Sequence, residues 1–124
     1  MTEPVVRNIK VLAIYPNGDT ILAGADDDPI NWRYLVAGDV GVVEITYDAV
    51  ALVNADGRAK SLPENRNGTE LVHRLNPLGL NSGAVMYGPV VIVGSINPAT
   101  GSRDGEFYDC PSRVSDLFKN PKAA

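Results

Sequence analysis

Two short runs in this chain are apolar on both of the faces that a β-strand presents, and this narrows the fold more than any other feature. In residues 9–15, Ile9, Val11, Ala13 and Tyr15 share one face, while Leu12 and Ile14 make the other face apolar as well. Successive strand side chains point to opposite sides, so such a run is stable only where both sides are covered. Residues 90–93 are Val-Val-Ile-Val, ended by Gly94, and suit a buried strand in the same way. The chain therefore needs a central, doubly covered strand. At 124 residues it is long enough for one domain that buries about two thirds of its unfolded surface.

The remaining elements follow from punctuation and spacing. Pro16-Asn17-Gly18-Asp19 is a turn, with residues 20–23 returning as the second arm of a hairpin. Asp28-Pro29 is a helix start, with Asp28 as the cap and Pro29 at the first helical position. Ile30, Tyr34 and Leu35 form its apolar stripe, and Gly38 stands where a C-terminal cap belongs. Residues 42–53 are too long and too β-branched for one strand, and split near Tyr47-Asp48 into two antiparallel strands. Asp56-Gly57 is a hairpin signal that predicts a short third strand over residues 58–61. Asn67, with Glu70 three residues on, resembles a capping box for a helix that buries Leu71, Val72 and Leu75 and ends at Asn76-Pro77. Residues 78–89 read as an irregular loop and residues 95–105 as a turn-rich, mobile segment. Residues 106–109 are an edge strand or merely extended. Cys110-Pro111 opens a last helix with Val114, Leu117 and Phe118 at helical spacing, stopped by Asn120-Pro121. The expectation is an α+β fold: a small, mainly antiparallel sheet of hairpins and meander with about three short helices. Residues 1–124 form a single domain, with a core over about 6–120 and frayed termini.

Charge and cysteine content exclude several classes of function. The net charge is −4, and the excess lies wholly in the first half. Residues 1–60 carry five basic and nine acidic side chains, and residues 61–124 carry six of each. No cluster of Lys and Arg suited to phosphate backbones is present, so nucleic acid is disfavoured as a partner. An acidic DNA mimic is disfavoured too, because the charge is modest for the length. The apolar runs are short and broken by Gly or Pro, so no membrane span is expected. The start, Met1-Thr2-Glu3-Pro4, has no basic and apolar leader pattern, and one Cys fits a reducing compartment, so a cytoplasmic location is expected. Asn67-Gly68-Thr69 matches a glycosylation acceptor, a match that is empty without secretion.

Residues 54–66 hold the densest set of polar side chains that structure could fix in place. Leu62-Pro63 imposes an extended conformation before Asn65-Arg66 enters a helix cap. Arg58 and Arg66 could hold a small, nucleotide-like anion, with Asn54 and Asn65 fixing its orientation. The competing reading, which is favoured, has both asparagines satisfying turn backbone and Arg66 as a solvated charge. Cys110 would gain thiolate character as a helix N-cap, with Arg113 nearby, but a nucleophilic Cys needs a base, and His73 has no evident link to it. A half-buried Cys110 at a helix junction and a surface or boundary His73 are the better readings. Asp26, Asp27 and Asp28 lack the spacing of a calcium loop and read as a solvated stretch ending in a helix cap. Trp32, Arg33 and Tyr34 form the one dense aromatic–cation cluster and are the interface candidates, weighed against a core position for Trp32. No catalytic residue, metal site or cofactor is assigned.

A further signal lies in the order of weak motifs: residues 9–14, Leu35-Val36-Ala37-Gly38, residues 50–54 with Gly57 and Lys60, Leu62-Pro63 with Asn65-Arg66, and residues 88–94. Together, over about residues 9–94, they resemble a small family of phages and mobile elements catalogued as domain of unknown function 3846. That family usually has Gly-Gly where this chain has Ala37-Gly38, and Glu-Gly-Lys after the Asn where this chain has Ala55-Asp56-Gly57-Arg58. The resemblance implies a phage or plasmid accessory protein of the host bacterial cytoplasm and carries no catalytic residues. The functional expectation is thus a non-enzymatic protein that binds a host protein or macromolecule, or self-associates as a homo-oligomer. The alternative is a protein or enzyme binding a small anionic ligand through residues 54–66.

Overall fold

A computed structural model describes residues 7–76 and 85–119. The expected frayed termini and most of the expected loop at 78–89 lie outside these residues. Five strands and three helices follow one another as β1 (Asn8–Ile14), β2 (Thr20–Asp26), α1 (Pro29–Val36), β3 (Val40–Thr46), β4 (Ala49–Asn54), α2 (Arg66–Leu75), β5 (Val90–Gly94) and α3 (Ser112–Lys119). The strands form one antiparallel sheet in the order β2-β1-β5-β4-β3. Two sequential hairpins, β1–β2 and β3–β4, are joined by the late strand β5 inserted between them. The α+β expectation holds.

The doubly apolar runs are the reason for this order. β1, β5 and β4 occupy the three central positions, and their side chains alternate between two separate cores. Val11, Val50, Leu52, Val91 and Val93 face a layer that includes Trp32 and Val36 of α1. Leu12, Ile14, Ala51, Val90 and Ile92 face Leu71 and Val72 of α2 and Val114 of α3. The sheet is thus sandwiched, with one helix on one side and two on the other.

Local signals explain most of the boundaries. Gly18 adopts φ 96°, and Asn17 accepts a hydrogen bond from the Asp19 N–H at 2.9 Å, closing the first turn. β2 runs on to Asp26, beyond the expected return arm at 20–23. Asp28 caps α1 by accepting from the Ile30 N–H, with Pro29 at the first position as expected. The split at Tyr47-Asp48 is also present, with a bulge in β3 between Glu44 and Thr46.

Five expectations are corrected. The left-handed residue that ends α1 is Ala37 (φ 63°) rather than Gly38, which supplies the next N–H, donated to the Arg33 carbonyl. The buried stripe of α1 is Trp32 and Val36, whereas Ile30 and Tyr34 are 77% and 80% exposed. Residues 58–61 form no strand. The Lys60, Ser61 and Leu62 N–H groups bond back to Asp56, Arg58 and Gly57, and Ser61 takes φ 57°, so the segment is one helical turn with a left-handed terminus. The cap of α2 is Asn65, two residues before the expected Asn67. The turn-rich segment after β5 is pinned rather than free. The Ser95 N–H donates to the Asp48 carbonyl, and Arg103 donates to the Thr46 and Tyr47 carbonyls and to Glu44.

The extended segment at 106–109 comes closest to the sheet at Gly94. Gly94 and Tyr108 exchange two backbone hydrogen bonds of 2.8 and 2.9 Å, and a Cβ on Gly94 would run into the Asp109 carbonyl oxygen. Backbone rather than a flexible side chain blocks that space, so relief requires moving the whole segment. Gly94→Ala should therefore lower the unfolding free energy in urea by about 1–3 kcal/mol, the usual cost of overpacking. An unchanged unfolding midpoint would show that the 106–109 segment shifts freely.

Candidate functional site

Residues 54–66 leave the end of β4 and enter α2, crossing from the α1 side of the sheet to the α2 side. Asn54 is buried at the start of this path. Its amide nitrogen donates to the Val36 and Ala37 carbonyls at 3.2 and 3.0 Å, and its oxygen accepts from the Asp56 N–H at 2.8 Å. The last carbonyls of a helix lack intrahelical donors, and Asn54 supplies them for α1. The Lys60 ammonium lies beside Gly38, 3.2 Å from where a Cβ on that glycine would stand, at the negative end of the same helix.

Asn65 closes the path and is fully buried. Its amide nitrogen donates to the Ile14 carbonyl at 2.8 Å and the Gly88 carbonyl at 2.9 Å, and its oxygen accepts from the Gly68 N–H at 2.9 Å. One side chain thus caps α2 and ties it to the end of β1 and to the strand-like segment before β5. The Pro63 carbonyl accepts from the Gly88 N–H at 2.7 Å. Gly68 permits this closeness, because a Cβ there would stand 2.9 Å from Val90 Cγ2 and 3.1 Å from Asn65.

The two arginines are not brought together with the asparagines. Arg58 is exposed and lines a depression of about 540 Å³ with Asn54, Val53, Met86 and Tyr87. Arg66 is exposed and lines a different one of about 360 Å³ with Pro16, Asn17 and Glu64. Asn65 lines neither. Of the four ligand candidates, only Asn54 and Arg58 share a surface, and the polar atoms of Asn54 are already bonded within the chain.

The other candidates are placed as clearly. Trp32 is a core residue, 4% exposed, with its ring edge-to-face against Phe107 at 5.8 Å and its indole N–H donated to Asp27 at 3.1 Å. It is therefore not an interface side chain. Arg33 is exposed and pairs with Asp39 at 3.3 Å, which leaves Tyr34 and Ile30 as the outward apolar groups of α1. The three consecutive acids have separate tasks. Asp26 accepts from Asn8, Asp27 from Arg7 and Trp32, and Asp28 caps α1. Among the described residues, no group of three or more His, Cys, Asp and Glu side chains is placed to hold a metal ion. His73 is exposed on α2.

Cys110 is buried just before α3. The Pro111 carbonyl accepts the first helical N–H groups, those of Val114 and Ser115, so Pro111 and not Cys110 takes the cap position. Burial pushes the Cys110 thiol up to about 12, with Asp48 and Asp109 adding to the shift against Arg113. Arg113 is itself engaged by an ion pair with Asp48. A thiol held neutral in this way is no nucleophile. Sequence reasoning passed over the outward apolar residues of β2, Ile21 and Leu22, since an edge strand shows no separate signal in one sequence.

Asn65→Ala removes the amide donor to two carbonyls and the acceptor for one buried N–H, and should cost about 3 kcal/mol in urea unfolding. Arg58→Ala and Arg66→Ala should each change stability by less than about 0.5 kcal/mol. Comparable losses in all three variants would show that the asparagine is not the tie described. Iodoacetamide at pH 8 should label folded Cys110 at least about a hundredfold more slowly than the urea-unfolded chain. Because the folded thiol titrates above the unfolded one, its contribution to stability should also fall as pH rises from about 9 toward about 12. Equal labelling rates would refute the buried neutral thiol.

No family model, no curated protein and no solved structure matches the chain, and the reading of its surface rests on its own geometry.

Proposed function

We propose that this protein works by association rather than catalysis, binding a host macromolecule or a second copy of itself. The observation that carries this reading is an inversion of what residues 54–66 promised. The polar atoms of Asn54 and Asn65 are used up inside the fold, while apolar side chains stand outside. They include Ile21 and Leu22 on β2, Ile30 and Tyr34 on α1, and Val42 on β3. A binding site for a small molecule needs free, convergent polar groups in a concave site. Association needs exposed apolar groups and unpaired backbone. The phage or plasmid accessory role in a bacterial cytoplasm belongs to the same proposal and is supported by the order of motifs over residues 9–94. No helix among the described residues is long and apolar enough to cross a membrane.

Native mass spectrometry of the gently purified chain tests this reading. The expected result is a defined oligomer or a stoichiometric complex with a macromolecule. A monomer carrying a small anion that is lost in Arg58→Ala or Arg66→Ala would overturn it in favour of ligand binding. So would a monomer that retains nothing.

A further inference from the structure

The sheet has two edges, and they are protected very differently. β3, at one edge, contains a bulge and the charged Glu44, and Arg103 reaches across its end to the Thr46 and Tyr47 carbonyls while its guanidinium lies over the Tyr47 ring at 5.0 Å. Bulges, charges and covering side chains are the usual means by which edges are kept from pairing. β2, at the other edge, has no bulge, and its one charge, Asp26, stands at its last residue. Its seven residues pair with β1 without a break in register, and no charge or proline occurs from Thr20 to Ala25. Ile21 and Leu22 are 48% and 41% exposed, and as neighbours in a strand they point to opposite sides of the sheet. From Ile21 to Gly24 the strand is therefore exposed on both faces as well as along its edge, while Ala25 is buried against α1.

We infer that β2 pairs antiparallel with β2 of a second copy about a two-fold axis, with Leu22 opposite Leu22 of that copy, so that two five-stranded sheets become one. This rests on the association reading above and names its partner. The ladder decides which backbone groups are available. The Asp27 N–H donates to the Arg7 carbonyl and the Tyr15 N–H to the Asp19 carbonyl, both in the register that pairs β1 with β2. Bonded pairs alternate along an antiparallel ladder, so Ile21, Ala23 and Ala25 turn their backbone groups toward β1. Thr20, Leu22 and Gly24 turn theirs outward, whereas the Asp26 carbonyl is taken by the Asp28 N–H and the Asn31 amide.

Charge then selects the register. The fullest overlap of the two strands places Ala23 opposite Ala23 and continues to Asp19 opposite Asp27, a like-charge pair at each end. Like charges directly opposite are destabilising. Shifting to Leu22 opposite Leu22 keeps outward groups facing outward groups, pairing Thr20 with Gly24 in both directions for about six backbone hydrogen bonds. Asp19 then faces Ala25, and Asp26 faces Gly18. No acid meets an acid.

Sedimentation of the full chain across the micromolar range, with unfolding curves for each variant, tests the inference. The wild type should sediment as a dimer. Leu22→Lys should keep its unfolding midpoint and lose the dimer, with a dissociation constant raised at least about tenfold. Leu22→Cys, oxidised under native conditions, should cross-link the dimer covalently, because directly opposed residues lie within disulfide reach. Ala25→Cys should not. A dimer that survives Leu22→Lys and resists cross-linking through Leu22→Cys overturns the edge pairing but leaves the association reading standing. A monomeric wild type also overturns the pairing, and if it retains no macromolecule in native mass spectrometry the wider reading falls with it.

Discussion

A sheet covered on both faces leaves helix ends inside the protein, and the passage from one helix layer to the other depends on how those ends are satisfied. The end carbonyls of α1 and the first N–H groups of α2 both lie against the sheet. An amide side chain is suited to such places because it offers two donors and an acceptor at once. Asn54 bonds two carbonyls of the α1 terminus and one N–H of the following turn, and Asn65 bonds two distant carbonyls and one N–H of α2. A carboxylate in either position could not donate, and a hydroxyl could not reach all three partners. The two asparagines therefore hold the single connection that passes from one layer of helix to the other.

Much of this was legible in the residues. Alternation in residues 9–15 and the all-apolar run at 90–93 called for central strands. Tyr47-Asp48 broke a run too long for one strand, and Asp28-Pro29 opened a helix. These are local signals, and local chemistry decided them. The failures share a cause. Ile30 with Tyr34 and Trp32 with Val36 are both apolar pairs one turn apart, so spacing could not choose the buried face of α1. The choice is made by Phe107, far along the chain, which packs on the indole, and by Asp27, which takes its N–H. Asn67 has better local credentials as a cap, with Glu70 in place. Asn65 wins because carbonyls at Ile14 and Gly88 are waiting for its amide. The turn at Asp56-Gly57 closed as a helical turn rather than a hairpin because Ser61 accepts a left-handed conformation and Leu62 bonds back to Gly57.

The same accounting bears on function. Residues 54–66 look like a binding loop in sequence because asparagine and arginine on irregular backbone are what binding loops contain. In the fold, the asparagines face inward and the arginines open onto separate surfaces. What stands open at the β2 edge is main chain rather than side chain: the outward groups of Thr20, Leu22 and Gly24. Recognition there would draw its affinity from backbone hydrogen bonds, and only the side chains opposite one another would give it specificity.

The position of the acidic residues makes that edge selective. A charge in the middle of β2 would block pairing outright, as Glu44 helps to do on β3. Asp19 and the acids from Asp26 onward instead stand at the ends of an uncharged stretch, where they leave the centre free and penalise registers that bring two of them together. The acids from Asp26 onward are also committed to Asn8, to Arg7 and Trp32, and to the α1 cap, so their positions are fixed before any partner arrives. The acidic excess of the first half of the chain thus has a structural meaning that composition alone could not convey. It frames one apolar edge and limits how a second strand can lie against it.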